Sequence, residues 1–313
     1  MAIFIAIALF FVGAILIIKG GDIFIDAASW MSDVTGISKV VIGATIVSFA
    51  TTSPEYFVSL IATLKGYNDL SIGNAVGSLS ANLGIAFGLL AIFTPGVIRD
   101  KLFGVKGLIM IVSTAILLLF CLNGSVSVIE GVVLLLLFAF SIFVNIRYSK
   151  EEQDAQRKQT NSREIVINVC KFIGGAAAII FGSNLIVDNG KIMASLAGVS
   201  DAVIGLTFVA IGTSLPEIVT SVAAIVKKQN ALSIGNIIGA NILDATLILA
   251  TGAFISGGNL TVSASTVRMD IPVALILMVI GVLPAAIGKK IYRWQGGLMV
   301  VVYIAYLVYI TLG

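Results

Sequence analysis

The sequence predicts an all-α membrane protein with ten transmembrane helices arranged as two inverted five-helix repeats. Composition, the spacing of apolar runs and an internal repeat support this prediction. Of the 313 residues, 58% are hydrophobic and 11% are charged, and the mean hydropathy is +1.10. A soluble domain carries about 25% charged residues. At about 20 residues per span, ten spans leave only short loops and no room for a separate soluble domain.

Charges or turn residues separate ten apolar runs along the chain. These runs lie at about 2–20, 40–64, 70–95, 104–122, 126–146, 165–187, 201–226, 231–256, 271–288 and 295–312. The first is expected to be a span rather than a signal peptide, because no basic segment precedes it and no small-residue cleavage site follows it. The polar stretch 147–163 is expected to be a cytoplasmic linker between two halves, 1–146 and 164–313.

The positions of the basic residues predict the orientation of the chain. With the N-terminus outside, fifteen of the 19 Lys and Arg residues fall in inner loops and three in outer loops, which is a positive-inside pattern. We therefore expect a multi-pass protein of the cell membrane with a cytoplasmic linker. The same pattern accounts for the net charge of +3 without nucleic acid. The expected partners are inorganic cations and the lipid bilayer, and no obligate protein partner is evident.

Two residue counts exclude whole classes of chemistry. The chain has no histidine, which excludes His-ligated zinc sites and His-based triads. Its two cysteines, Cys121 and Cys170, lie in apolar runs and are expected to be buried and without function. No disulfide framework and no cofactor is expected.

An internal repeat relates the two halves. Residues 43–84 align without a gap on residues 205–246, with an offset of 162 and 16 of 42 positions identical. The shared positions include polar residues, Pro and Gly, which composition alone does not match, such as the SIGN run at 71–74 and 233–236. Five spans separate the copies, so they would enter the membrane from opposite sides, which is the inverted-repeat plan of secondary transporters.

Three acids fall within predicted spans: Glu55, Glu217 and Asp244. Their own predicted helices carry no basic partner near them. An unpaired charge at the bilayer centre costs at least ~2.5–3.5 kcal/mol. The alternative is that each acid pairs with a distant base or is protonated, but bound cations are the better explanation.

A helix break with oxygen-bearing side chains lies beside each glutamate. Pro54 and Pro216 cannot donate to the carbonyls of Ala50 and Gly212, and a freed carbonyl in lipid needs another partner. Hydroxyl side chains adjoin both breaks, at Thr51, Thr52, Ser53, Thr213 and Ser214. Carboxylates, hydroxyls and exposed carbonyls suit a hard cation, and Ca²⁺ takes six to eight oxygens.

The helix after each break carries a polar face. Asn74, Ser78 and Asn82 are spaced by four residues and therefore share one face of the third span. The matching residues of the eighth span are Asn236, Ala240 and Asp244. Glycine pairs beside these faces, 73/77 and 235/239, allow helices to approach closely. We expect a site formed by four helices.

These motifs resemble the alpha-repeats of the cation/calcium antiporter superfamily, the sodium/calcium exchangers in particular. The resemblance rests on GTSLPE at 212–217, SIGN in both copies and the paired glutamates. It implies the ten-span plan for the whole chain and a set of metal ligands. In this sequence those positions are the Ser48 carbonyl, Thr51, Thr52, Glu55, Ser78, Asn82, the Ala210 carbonyl, Thr213, Ser214, Glu217, Ala240 and Asp244.

The sequence departs from the family pattern at three positions. Ala240 stands where the family has a serine, so one oxygen is missing from the expected outer sodium site. Ser53 and Ala50 replace the usual leucine and glycine of the first GTSLPE motif. The first departure affects sodium stoichiometry, whereas the other two concern helix bending.

The resemblance implies a secondary active antiporter, not an enzyme, that exchanges Ca²⁺ for Na⁺ by alternating access at a carboxylate site near the membrane midplane. Three ionised acids would be neutralised by three Na⁺, whereas one Ca²⁺ leaves −1, and Asp244 beside two other carboxylates is the candidate to be protonated. Exchange of three Na⁺ for one Ca²⁺ would be electrogenic, with net positive charge entering as calcium leaves. The expected moving helices are spans one and six, which are rich in small residues such as Gly174, Gly175 and Gly182.

Other functions remain open at this stage. Proton/calcium exchange is disfavoured, because that branch usually carries an additional acid and often histidine near the GN segments. Potassium-dependent exchange is open, since an oxygen is missing at Ala240. A cation channel could use the same acids, but inverted repeats favour a carrier. An intramembrane aspartyl protease needs two facing aspartates and a prenyl transferase needs Asp-rich loops, and neither feature is evident in the sequence.

Overall fold

The chain is an all-α membrane protein. A computed structural model describes residues 2–98, 100, 102–149, 160–196, 212 and 214–312. The helices over these residues are α1 (Ala2–Thr35), α2 (Lys39–Thr51), α3 (Ser53–Leu64), α4 (Asn68–Phe93), α5 (Phe103–Cys121), α6 (Val128–Ser149), α7 (Ser162–Leu196), α8 (Leu215–Val226), α9 (Asn230–Ile255), α10 (Thr266–Gly288) and α11 (Arg293–Leu312). Eight helices in the described part are long and apolar enough to cross a bilayer, and α2 and α8 are shorter apolar helices.

Two helices are longer than the sequence predicts. The first span was expected at about 2–20, yet α1 continues to Thr35 and ends before Gly36, whose φ is +73°. The sixth was expected at about 165–187, yet α7 runs from Ser162 to Leu196. Charges do not stop α1 because Asp22 and Asp26 pair with Lys227 at the end of α8. Charged residues mark where a helix leaves the apolar core rather than where it ends.

The expected second span, about 40–64, is broken into α2 and α3 at Thr52. Thr52 has φ −80° and ψ −3°, so its ψ departs from the usual helical value of about −42° although its N–H still donates to the Ser48 carbonyl. Ser214, which is 162 residues later, has nearly the same conformation, φ −83° and ψ 3°, immediately before α8. Each break lies two residues before a proline, Pro54 or Pro216, as the missing N–H of proline requires. The first part of the expected seventh span, 201–226, lies outside the described residues, which resume at 212 and 214.

Helices α1 and α7 pack against each other through glycines. A Cβ on Gly13 would lie 2.7 Å from the Gly182 carbonyl oxygen, and a Cβ on Gly20 would lie 3.1 Å from the Gly175 carbonyl oxygen. The 162-residue offset relates Gly13 to Gly175 and Gly20 to Gly182. The two contacts are therefore equivalent, with the roles of the two helices exchanged. Gly174 has no atom of another element near its missing side chain and is not part of this contact.

Other local structures also occur twice. Strand β1 (Gly96–Val97) pairs with β4 (Lys290–Ile291), and β2 (Ser125–Val126) pairs with β3 (Leu260–Thr261), both antiparallel. Helices α4 and α9 contain π-helical segments, Asn82–Phe87 and Asp244–Ile248, that begin at aligned positions. The main core lies between α4, α5, α9, α10 and α11. Cys121 is buried, but the prediction that Cys170 is buried is wrong, because it is exposed on α7.

Candidate functional site

The three predicted acids lie together inside the helix bundle. Glu55 is in the first turn of α3, Glu217 is in the first turn of α8, and Asp244 begins the π-helical segment of α9. All three have an exposed fraction of 0%. Glu55 interacts electrostatically with both other carboxyl groups, and Asp244 interacts with Glu217. Among the described residues, the ion pairs of Lys side chains involve other acids.

Each broken helix places its glutamate at the beginning of a new helix. The break at Thr52 starts α3 only three residues before Glu55, and the break at Ser214 starts α8 three residues before Glu217. A helix N-terminus favours negative charge, because its first backbone N–H groups have no partner within the helix. Both glutamates therefore lie where the backbone itself stabilises a carboxylate.

The predicted hydroxyl ligands join the two halves of the chain. The Thr52 hydroxyl donates a hydrogen bond of 3.0 Å to Glu217 Oε1. The Thr51 hydroxyl lies near the same carboxylate and 3.2 Å from Asn236 Oδ1. Ser78 lies beside Asp244, and Asn82 Nδ2 donates to Ser78 Oγ at 3.2 Å. The second half therefore supplies carboxylates to hydroxyl groups of the first half.

Several buried oxygens around these acids have no hydrogen-bond partner. They are Glu55 Oε1 and Oε2, Glu217 Oε2, Asp244 Oδ1 and Oδ2, Asn82 Oδ1 and Ser214 Oγ. Buried polar atoms are nearly always paired, and each unpaired one costs about 1–3 kcal/mol, more if it is charged. All of these atoms are oxygens, with no nitrogen or sulfur among them. Oxygens are the ligands that Na⁺ and Ca²⁺ bind.

The three carboxylates do not surround a single point. No group of three acidic, histidine or cysteine side chains among the described residues is arranged to hold one metal ion.

The carbonyls freed by the helix break are largely occupied. The Ser53 hydroxyl donates to the Ala50 carbonyl oxygen at 2.9 Å, so the residue that departs from the family pattern caps the group that Pro54 leaves without a donor. The Ser48 carbonyl accepts from the Thr52 backbone N–H at 2.8 Å and from the Thr51 hydroxyl at 3.3 Å. Its role as an ion ligand stays a prediction.

The second half of the predicted ligand set is described only in part. Ser214 and Glu217 are fully buried, and Ala240 is a buried methyl group on α9. The predicted ligands Ala210 and Thr213 lie outside the described residues. Sequence reasoning identified Asn74 and Asn236 as polar residues of the same faces but did not predict their contacts, because amide orientation depends on the packing of neighbouring helices.

Known proteins resemble this chain over nearly all of its length. The family model described as sodium/calcium exchanger protein matches residues 5–147 and 167–312. An uncharacterized membrane protein of Methanocaldococcus jannaschii is 32% identical over 307 residues, covering 97% of both chains. Sodium/calcium exchanger MaX1 of Methanosarcina acetivorans is 28% identical over 342 residues, covering 95% of both.

A solved structure has the same fold. The sodium-calcium exchanger NCX_Mj, soaked with 2.5 mM Na⁺ and 10 mM Sr²⁺, superposes with a TM-score of 0.84 and 32% sequence identity, covering 98% of this chain and 99% of NCX_Mj. On the family model, the sequence identity and the fold together, the chain belongs to the sodium/calcium exchanger family.

Proposed function

We propose that the chain is a secondary active antiporter that exchanges Ca²⁺ for Na⁺ across the cell membrane by alternating access. The observation that carries this proposal is the group of three fully buried acids, in which five of the six carboxylate oxygens lack a hydrogen-bond partner. Three buried carboxylates without a basic partner need cations to offset their charge. Family membership supports Na⁺ and Ca²⁺ as those cations.

The proposed ligands are the oxygens predicted from the sequence. Glu55 and Glu217 are the shared carboxylates, because they interact with each other and each begins a helix. Asp244, Ser78 and Asn82 form a second group on α4 and α9. The remaining proposed ligands are Ser48, Thr51, Thr52, Ala210, Thr213 and Ser214.

We propose that the two halves, 1–146 and 164–313, are inverted repeats of five spans each, joined by the linker 147–163. The reciprocal glycine contacts of α1 with α7 support this, because in a pair of equivalent helices related by a twofold axis the counterparts of two contacting residues also contact each other. The paired strands and the breaks at Thr52 and Ser214 repeat in the same manner. The positive-inside pattern supports an outer N-terminus and a cytoplasmic linker.

The charge of the site predicts how exchange responds to voltage. Three ionised acids carry −3 and balance three Na⁺, whereas Ca²⁺ balances only two of these charges. If the ion loads share Glu55 and Glu217, they exclude each other and exchange moves net charge. Because one elementary charge is worth about 2.3 kcal/mol per 100 mV, an imposed potential should change the rate of exchange.

The test is calcium uptake into proteoliposomes under an imposed sodium gradient, for the wild type and for Glu55→Ala and Glu217→Ala. We expect sodium-dependent uptake in the wild type and its loss in both variants. Uptake driven by a proton gradient, or uptake that requires potassium, would replace sodium/calcium exchange with the corresponding alternative. Uptake that continues in either variant would contradict the proposed site.

A further inference from the structure

A buried asparagine fastens the first glutamate-bearing helix to the helix that follows it. Asn74 Nδ2 on α4 donates to the Glu55 carbonyl oxygen at 3.1 Å and to the Ser59 hydroxyl at 3.0 Å, both on α3. The Ser59 hydroxyl in turn donates to the Ser71 carbonyl oxygen at 3.0 Å. The Asn74 amide therefore fixes the backbone of Glu55 without contacting its carboxylate.

The aligned residues of the second half do not make this contact. Asn236, Ser221 and Ser233 are the counterparts of Asn74, Ser59 and Ser71. Their buried atoms Asn236 Nδ2, Ser221 Oγ and Ser233 Oγ all lack a hydrogen-bond partner. Asn74, Ser59 and the Glu55 carbonyl have the same counterparts in Asn236, Ser221 and the Glu217 carbonyl, yet they are joined only in the first half. Ser233 Oγ lacks a partner for a different reason: Thr63, which donates to Ser71 Oγ at 2.8 Å, is replaced by Ile225 in the second half.

Asn236 instead contacts the other half of the chain. Its Oδ1 lies 3.2 Å from the Thr51 hydroxyl, at the end of α2. In this contact the Thr51 hydroxyl donates and the Asn236 amide oxygen accepts, so Nδ2 is left without a partner. Asn236 thus joins α9 to the broken helix of the first half, whereas Asn74 joins α4 to α3 within its own half.

Aligned residues that make different hydrogen bonds in the two halves indicate that each half can take either of two arrangements. Leaving Asn236 Nδ2 and the Ser221 hydroxyl buried without a partner is unfavourable, so an arrangement of the second half that pairs them would be locally more stable. In transporters built from repeats of opposite orientation, access alternates as one repeat moves against the other around a fixed site, which would allow each repeat to take the arrangement of the other.

We propose that Asn74 and Asn236 are equivalent positioning residues for the glutamate-bearing helices. Asn74 holds α3 in one state of the transporter, and Asn236 holds α8 in the other. In the present state the first clamp, formed by Asn74 and Ser59, is closed. The second clamp, formed by Asn236 and Ser221, is open. When access to the site changes sides, Asn236 Nδ2 moves to the Glu217 carbonyl and the Ser221 hydroxyl, and the first clamp opens. This exchange of clamps rests on the proposed alternating access, but the asymmetry itself does not.

The asymmetry is tested by two matched variants in purified protein. Ser59→Ala removes an acceptor of the closed clamp, so we expect a lower thermal unfolding temperature and faster backbone hydrogen exchange over residues 53–64. Ser221→Ala removes a buried hydroxyl without a partner, so we expect an unchanged or higher unfolding temperature and unchanged exchange over 215–226. Equal effects of the two substitutions would overturn the proposal, and this result requires no transport activity.

The exchange of clamps is tested by transport measured from each face of oriented proteoliposomes. Loss of one net hydrogen bond of about 1 kcal/mol changes a two-state ratio about fivefold. Ser59→Ala should shift the ratio of apparent Ca²⁺ affinities at the two faces about fivefold in one direction, and Ser221→Ala about fivefold in the other. Shifts in the same direction, or no shift in folded protein, would contradict it. A wild type that moves no calcium would contradict the proposed function while the exchange measurement still tests the closed clamp.

Discussion

Thr52 Oγ1 lies 3.0 Å from Glu217 Oε1, so a hydroxyl at the helix break of the first half donates to the carboxylate of the second. This contact joins two residues that are 165 positions apart. It orients a carboxylate whose other oxygen has no hydrogen-bond partner. The free oxygen is thereby held in a fixed position, where we propose that it binds a cation.

Replacing Thr52 with Val should weaken cation binding, because the Glu217 carboxylate loses its donor and its fixed orientation. A hydrogen bond to a charged group contributes about 1.5–3 kcal/mol, so we expect the apparent affinity for Ca²⁺ to fall about 10- to 100-fold. Calorimetric titration of purified protein measures this.

The matched control for that substitution is Ser53→Ala, which removes the adjacent hydroxyl. Ser53 donates to the Ala50 carbonyl and not to a carboxylate, so its loss should lower stability slightly and leave the affinity unchanged. If both variants lowered the affinity equally, the effect would come from the helix break rather than from Glu217.

Restoring a hydroxyl at position 240 should change the response to sodium. Ala240 is a buried methyl group one turn before Asp244, where the family pattern has a serine. We expect Ala240→Ser to lower the Na⁺ concentration that gives half-maximal exchange and to steepen the dependence on Na⁺. The measurement is the Na⁺ dependence of calcium efflux, and an unchanged curve would argue against an ion at this position.

Close helix packing beside the site depends on Gly239. A Cβ at this position would lie 2.6 Å from both the Ala44 carbonyl oxygen and the Ser48 hydroxyl. Gly239→Ala should therefore push α2 away from α9 and lower the free energy of unfolding by about 1–3 kcal/mol. Gly297→Ala in α11 is the control, since nothing lies within 4 Å of its missing side chain. A Gly239 variant as stable as the Gly297 variant would contradict this packing.

A strained turn after α8 offers a stabilising substitution. Lys228 has φ +58°, and the aligned residue of the first half is Gly66 with φ +79°. A left-handed conformation costs an ordinary residue about 1–2 kcal/mol, part of which is offset by the greater flexibility of glycine in the unfolded chain. Lys228→Gly should raise the unfolding temperature and Gly66→Lys should lower it; the reverse order would show that the side chain of Lys228 stabilises the turn.

An ion pair links the end of α8 to α1. Lys227 Nζ lies 2.9 Å from Asp26 Oδ1 and 3.6 Å from Asp22 Oδ1. The hydrogen bond to Asp26, with the charges of both acids, raises the pKa of Lys227 against a smaller opposing effect of burial. A raised folded-state pKa gives stability that is fully present below the ordinary lysine value of about 10.4 and is lost as pH rises through the folded value.

Asp26→Asn should accordingly lower stability by at most about 1 kcal/mol, because the pair is partly exposed to solvent. Thermal unfolding of the variant and the wild type should differ by a constant amount from neutral pH to about 9.5 and converge at more alkaline pH. A difference that persisted after Lys227 lost its proton would assign the effect to packing of the Asp26 side chain.

The sequence predicted which buried acids lie together better than it predicted the helix boundaries. The repeat located both glutamates, Asp244 and the breaks before Pro54 and Pro216. It could do so because polar residues, prolines and glycines do not match between two apolar segments through composition alone. It did not predict that α1 and α7 extend beyond the apolar runs, since ion pairs such as Lys227 with Asp26 allow charged residues to continue a helix.

Details that depend on tertiary packing were not accessible from the sequence. The Ala50 carbonyl was expected to be free, but the Ser53 rotamer that caps it follows from the local fold. The π-helical segments that begin at Asn82 and Asp244 have no recognised sequence signal. The different contacts of Asn74 and Asn236 arise from one conformation of two similar halves, which a sequence common to both cannot specify.

The most direct test of the account is the position of a divalent cation in crystals of this protein soaked with Sr²⁺, located by anomalous scattering. We predict a peak between Glu55 and Glu217, within about 2.3–2.6 Å of oxygens from both carboxylates as for Ca²⁺, and its disappearance when Na⁺ is raised. A peak away from both glutamates, or a lysine or arginine side chain bridging them, would contradict the claim that bound cations balance these buried acids.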